Sequence, residues 1–262
     1  MPVVTLLEKA YGSFTPETFE PLFSSFCKGL RVRLRVVGKT EKGWIQVEVS
    51  GDDEIVALRF IGEKSGLAPV TLGGVKRFSV IRGRVILPKK SKKELSVDIG
   101  VFYPKTCNAI VPLQKLQAQL VDGKKIPLQR IVEYFCLQDN RSLEVKITNR
   151  VNAQNRFVKA TLSEEQLSQF SYWIKSSIDR LLVFGALFSD VEYALKASKL
   201  SRDVIRIESL GLLEHAVLCK LGTDAVGLVP KLGRLLSDAV LVPFSPEKIR
   251  QQDVFSLNCN SG

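Results

Sequence analysis

Histidine is nearly missing from this chain, which contains only His215 in 262 residues. Most hydrolases and metalloenzymes use several histidines as bases or ligands, so this scarcity argues against both classes. His215 lies in an apolar stretch that is predicted to be a strand, and Cys219 is too far along that strand to form a catalytic pair with it. His215 is therefore interpreted as a structural side chain. We expect a protein that is not an enzyme and that has no metal site, cofactor or small-molecule substrate.

Paired cysteines and long apolar runs are lacking as well. The five cysteines are scattered and odd in number, without the spacing of zinc ligands or of a disulfide framework. The longest apolar run, residues 181–188, is far shorter than the roughly 20 residues of a membrane span. The first residues lack the basic and apolar regions of a signal peptide. These absences predict a soluble protein of the reducing cytoplasm, with no membrane contact.

Positive charge is abundant, and it is concentrated in one third of the chain. Residues 77–163 hold 17 Lys+Arg and 6 Asp+Glu, a net charge of +11, whereas residues 1–76 and 164–262 have net charges of +1 and −1. We therefore divide the chain into three predicted domains with these boundaries. A charge gathered on one domain is typical of a surface that binds a polyanion, although a solvated lysine-rich face would have the same composition.

The basic segment alternates apolar and polar residues, which predicts short half-buried strands. In the first strand, Ile81, Val85 and Leu87 are expected to face inward and Arg82 and Arg84 outward. Four further strands are predicted at residues 95–99, 109–113, 143–151 and 156–162. Short strands at this spacing favour a small barrel over a parallel sheet. A helix with Leu128, Ile131, Val132 and Phe135 on its apolar face is expected to pack under this barrel.

This order of elements resembles the S-one-like RNA-binding domain, an OB barrel found in ribosomal proteins. The third-strand motif corresponds to residues 109–116, and the closing strands to residues 143–151 and 156–162. The resemblance implies an OB fold that binds RNA. Three positions depart from the family pattern: its stacking aromatics fall on Lys93 and Ser96, and its third-strand histidine falls on Pro112. We therefore expect phosphate contacts to dominate, with Phe102 and Tyr103 as the only aromatics placed to stack near this face.

The predicted RNA-binding residues are mainly cations on the strands and loops of this barrel. The lysines of residues 88–93 lie in the loop between the first two strands, a loop that OB barrels use for nucleic acid. A soluble, mobile hairpin tip is the alternative for this loop. The full set is Arg82, Arg84, Lys89, Lys90, Lys92, Lys93, Phe102, Tyr103, Lys124, Lys125, Lys146, Arg150, Arg156 and Lys159.

The flanking segments mix helices and strands. Residues 1–76 follow a β-α-β-β-α order, which suggests a ferredoxin-like α/β sandwich, with Arg31, Arg33 and Arg35 on an edge strand. Residues 163–166 form a capping box that begins a helix carrying Phe170 and Trp173, which we expect to be core residues. The C-terminal domain is predicted to be an α/β unit or a degenerate second barrel, because residues 227–230 echo residues 109–112. Residues 222–227 are interpreted as a hairpin turn.

The whole layout also resembles an uncharacterised archaeal family, a conserved domain of unknown function, on residues 118–125 and 221–231. That resemblance implies an archaeal, cytoplasmic origin and no particular activity. The function we expect is mainly non-sequence-specific RNA binding, and the expected partners besides RNA are the ribosome or RNA polymerase. The alternative is a protein-interaction adaptor whose basic face binds an acidic protein.

Overall fold

The computed structural model describes residues 2–87, 93–149 and 157–251. It shows a mixed α+β protein with three β-sheets, one of which closes into a barrel. Lys89, Lys90, Lys92, Arg150 and Arg156, five of the predicted RNA-binding residues, lie outside the described residues. No described helix combines the length and the apolar composition that a membrane span requires.

The N-terminal sheet is small and has helices on one face. Its strands and helices are β1 (Val3–Lys9), α1 (Glu20–Phe26), β2 (Val32–Lys39), β3 (Trp44–Gly51) and α2 (Glu54–Ser65). The strands are antiparallel in the order β1-β3-β2. Phe23, Val47 and Ile61 are completely buried in the core of this unit. Arg33 and Arg35 are exposed on β2, the edge strand, as the alternation predicts.

The central sheet contains the predicted barrel. Its strands are β4 (Val70–Thr71), β5 (Val80–Ile86), β6 (Glu94–Tyr103), β7 (Cys107–Pro112), β8 (Ser142–Ile147) and β9 (Phe157–Leu162). Strand β5 pairs with β6 and β8, β6 with β7, β7 with β9 in parallel, and β9 with β8. These pairings close five strands into a barrel, which confirms that prediction. Strand β4 adds to β6 from outside the ring.

The barrel is filled by alternate side chains of its strands and is covered by two helices at one end. Val97, Val111 and Val145 are completely buried inside it, and each such side chain stabilises the fold by roughly 1.5–3 kcal/mol. Helices α3 (Leu113–Leu120) and α4 (Leu128–Tyr134) connect β7 to β8. Leu128, Ile131 and Phe135 are buried, as the apolar stripe predicts.

The C-terminal segment forms an open sheet. Its elements are α5 (Glu164–Lys175), β10 (Arg180–Phe184), α6 (Phe188–Ala197), β11 (Val204–Ser209), β12 (Glu214–Cys219), α7 (Ala225–Leu232), β13 (Val240–Phe244) and α8 (Pro246–Gln251). The strands are antiparallel in the order β11-β12-β10-β13, with no closing pair among the described residues. The prediction of a degenerate second barrel is therefore wrong. The proposed repeat is wrong too, because residues 227–230 lie in helix α7 and residues 109–112 lie in strand β7.

Helix α5 joins the barrel core to the C-terminal sheet. Ser163 caps it, since its Oγ accepts a hydrogen bond from the Gln166 amide at 3.0 Å. Phe170 of α5 lies 5.2 Å from Phe135 beneath the barrel, and Trp173 lies 5.3 Å from Phe244 of β13, ring centre to ring centre. Both contacts are edge-to-face, a preferred arrangement of aromatic rings. The two sheets thus share one continuous core.

Candidate nucleic-acid interface

Arg84 is buried where the three parts of the chain meet, so its predicted role in binding RNA is wrong. Its side chain is 1% exposed. Its Nη2 donates to Glu8 from β1, and its Nη1 donates to Oε2 of Glu214 from β12 at 2.6 Å. Tyr11 donates to the other oxygen of Glu214 at 2.6 Å. A guanidinium held between two carboxylates cannot reach a phosphate; we call these four residues the junction.

Burial and charge shift the pKa values at the junction in opposite directions. Burial raises the pKa of Glu8 to about 6, although the neighbouring Arg84 partly offsets this effect. Burial alone would lower the pKa of Arg84, but Glu214 and Glu8 more than compensate and raise it. A Cβ atom at Gly211 would lie 2.0 Å from Oε2 of Glu214, so the tight approach requires glycine there. The junction is thus a structural ion cluster that connects the N-terminal sheet, the barrel and the C-terminal sheet.

A second buried ion pair covers part of the outer face of β6 and β7. Asp98 points away from the barrel core but is only 1% exposed, because the N-terminal unit packs on it. Lys9 donates to Asp98 at 2.7 Å, and the Trp44 indole donates to it at 3.3 Å. Lys42 approaches Asn108 of β7, with 3.4 Å between Nζ and Oδ1. A polyanion therefore has to approach another part of the barrel.

Two of the predicted cations are partly engaged by carboxylates. Arg82 is half-buried and its Nε lies 3.8 Å from Glu144, while Lys146 lies 3.7 Å from Glu164. Ion pairs as exposed as these contribute about 0–1 kcal/mol, so RNA phosphates could replace them at little cost.

The remaining described cations do not form a single group. Lys93 is exposed directly before β6, while Lys124 and Lys125 lie in the connection between α3 and α4. Lys159 is exposed on β9. The structure thus places described cations at both ends of the barrel.

One end of the barrel collects strand ends from the whole ring, and we call it the rim. It consists of the segment entering β5, the end of β6, the start of β7, the end of β8 and the start of β9. The amide of Phe78 donates to the carbonyl of Ile147 at 2.8 Å, which places the entry to β5 beside the end of β8. Phe157 at the start of β9 is in register with Asn108 at the start of β7. Neighbouring strands lie about 4.8 Å apart, so these residues share a small area.

Three aromatic side chains are exposed at the rim. Tyr103 is 65% exposed, Phe78 is 58% exposed and Phe157 is 48% exposed. Of these three residues, only Tyr103 was predicted to bind RNA. Phe102, the other predicted aromatic, is half-buried. The prediction that Phe102 and Tyr103 were the only aromatics near this face is therefore wrong. Phe157 was missed although it stands at an outward position of a predicted strand, directly before the inward Val158.

Cations accompany these aromatics at the rim. Arg77 stacks on Phe78, with 4.4 Å from its guanidinium carbon to the ring centre, and its Nε donates to the Thr148 carbonyl at 3.2 Å. Lys76, Lys105 and Lys159 are exposed nearby. Within residues 2–87, 93–149 and 157–251, none of these four cations forms an ion pair. Exposed rings interleaved with uncompensated cations are typical of surfaces that bind single-stranded nucleic acid.

A cleft of about 1030 Å³ opens between the three parts of the chain, and its lining residues differ in type from those of the rim. His215 lines it, but burial lowers the pKa of His215, and its Nε2 lies 3.0 Å from the Ala186 carbonyl oxygen. Burial also raises the pKa values of the Cys136 and Cys219 thiols to about 11, so neither is an activated nucleophile. In the part of the chain that the structure describes, no group of acidic, histidine and cysteine side chains is placed to hold a metal ion.

Comparison with known proteins identifies both flanks of the barrel. A model of the DUF2110 N-terminal domain matches residues 3–69, and a model of the DUF2110 C-terminal domain matches residues 178–242. All five barrel strands lie between the two matches, which together cover just over half of the chain. A search of curated proteins found no match. This protein therefore belongs to the DUF2110 family, whose function is uncharacterised.

Proposed function

We propose that this protein binds RNA through its central barrel, mainly by contacts to phosphates and without reading sequence. The observation that carries the proposal is the coincidence of the closed barrel with the segment that holds the net charge of +11. Its pairings follow the order of an OB barrel, in which the first strand pairs with the second and fourth and the third runs parallel to the fifth. OB barrels bind oligonucleotides in many settings, and the S-one-like assignment is part of this proposal.

A titration of a fluorescently labelled single-stranded RNA over salt concentration tests the proposal. Each neutralised phosphate contributes about −0.7 to the slope of log K against log salt concentration for single strands. Between about 0.05 and about 0.2 M salt we expect a steep loss of affinity. A flat slope, or no binding at low salt, would reject RNA as the ligand.

The lysine-rich loop provides a second test. Changing Lys89, Lys90, Lys92 and Lys93 to Ser should weaken binding by a similar factor for RNAs of different sequence, because phosphate contacts carry no sequence information. The matched control changes four exposed lysines of the C-terminal segment, Lys199, Lys220, Lys231 and Lys248, to Ser. Unchanged affinity in the loop variant would show that the loop is only solvated. In a pull-down from cell extract, partners that resist nuclease would favour the acidic-protein adaptor instead.

A further inference from the structure

The rim offers a different kind of contact from the phosphate contacts of the basic strands and loops. Tyr103 ends β6, Phe157 begins β9 and Phe78 lies in the turn before β5, yet the barrel brings all three to one end. Around the ring, β8 lies between β5 and β9, β7 lies between β9 and β6, and β5 pairs directly with β6. Two strand spacings amount to roughly 10 Å, so the three aromatic positions are spaced around the rim.

Three exposed aromatic rings at one end of the barrel require an explanation. A folded protein exposes scattered apolar side chains without consequence, but a group of aromatics among cations is typical of a binding surface. Every nucleobase has a π face, so each ring can stack on a base of any sequence. The cations Lys76, Arg77, Lys105 and Lys159 stand beside the rings, where the phosphates of a stacked strand would pass.

Two other parts of the barrel surface are covered by protein, which favours the rim as the place where an RNA strand binds. The N-terminal unit covers the outer face of β6 and β7 at Asp98 and Asn108. Helices α3 and α4 cover the opposite end, where Leu116 and Ile131 are buried. At the rim, by contrast, the described residues Phe78, Tyr103 and Phe157 are exposed.

We propose that the rim is a stacking site for the bases of single-stranded RNA, with Phe157, Tyr103 and Phe78 as the platforms. This inference rests on the proposed RNA binding and adds that bases, as well as phosphates, contribute to affinity. Duplex RNA, whose bases are stacked on each other, is expected to bind more weakly than a single strand of similar charge.

The test compares two probes that differ only in their bases. One is an oligoadenylate of about 20 nucleotides, which exceeds the usual length of about 4–16 nucleotides for one OB barrel. The other is a length-matched oligomer of abasic ribose phosphates, which keeps the charge and removes the rings. Both are titrated by fluorescence anisotropy against wild-type protein and the variants Phe157→Ala, Tyr103→Ala and Phe78→Ala.

Wild-type protein should bind the oligoadenylate at least about tenfold more tightly than the abasic oligomer. Each rim variant should lose about fivefold or more in affinity for the oligoadenylate and change little towards the abasic probe. Tyr193→Ala is the matched control, since Tyr193 is 69% exposed on α6, away from the barrel. Thermal unfolding of each variant separates loss of binding from loss of fold, and the preference ratio of the two probes is independent of the fraction folded.

Each other outcome overturns a defined part of the proposal. Equal, salt-dependent binding of the two probes by wild-type protein would overturn stacking and leave phosphate recognition intact. No binding of either probe at low salt would overturn both proposals. Competition by poly-glutamate as effective as that by RNA would overturn stacking in favour of an acidic protein ligand.

Discussion

The junction and the rim use the same types of residue for opposite purposes. At the junction, Arg84 is enclosed by Glu8 and Glu214 and has lost contact with water. At the rim, Arg77 and Lys159 are exposed and lack acidic partners among the described residues. The comparison shows that a cation becomes part of the fold or part of a binding surface according to whether carboxylates from other segments converge on it.

The largest expected effect comes from removing the junction arginine, compared with removing a half-exposed arginine of the same strand. Arg84→Met should lower the free energy of unfolding by about 3–5 kcal/mol, because two buried carboxylates lose their counter-ion. Arg82→Met, two residues earlier and half-exposed, should cost less than about 1 kcal/mol. Urea unfolding monitored by tryptophan fluorescence measures both. Equal losses would contradict the structural role assigned to the junction.

Replacing Glu8 should have a smaller effect on the free energy of unfolding, and that effect should depend on pH. Because burial raises its pKa from 4.5 to about 6, the folded state binds more protons than the unfolded state between these pH values. Its contribution to stability is therefore complete below pH 4.5 and is lost as pH rises through about 6. The advantage of wild type over Glu8→Gln should shrink by about 1–2 kcal/mol over this range.

The control for this effect is Leu221→Ala. Leu221 is 82% exposed and carries no titratable group. The difference in unfolding free energy between this variant and wild type should stay constant over the same pH range. A constant difference for Glu8→Gln as well would show that Glu8 titrates normally at the junction.

Much of the barrel could be predicted from the sequence, because its strands follow a local rule. Alternation located four of the five strands, a mostly apolar stretch located the third, and the apolar stripe of α4 identified the helix beneath them. Helix α7 was missed because Gly227 and Pro230 are poor helix formers, yet Asp224 caps it by accepting from the Val226 amide at 2.9 Å. Its apolar face, which includes Leu228 and Leu232, is buried against the C-terminal sheet and outweighs propensity.

The site was predicted less well, for reasons that are also physical. Alternation showed that Arg84 points away from the barrel interior, but it could not show that another part of the chain covers that face. The partners Glu8 and Glu214 are 76 and 130 residues away in sequence. Phe78 and Phe157 likewise come to the same end of the barrel only because the ring closes, so no local pattern links them. Both the wrong prediction at Arg84 and the omission of the rim arose because the fold brings together residues that are far apart in sequence.

The central claim is that the exposed cations of the barrel bind RNA phosphates, and the salt dependence of RNA binding tests it most directly. Changing Arg77, Lys105 and Lys159 to Ser should make the slope of log K against log salt concentration shallower by about 2, or about 0.7 for each lost contact. The control triple change of Lys199, Lys220 and Lys231 to Ser should leave the slope unchanged. Identical slopes for the two triple variants would contradict the account.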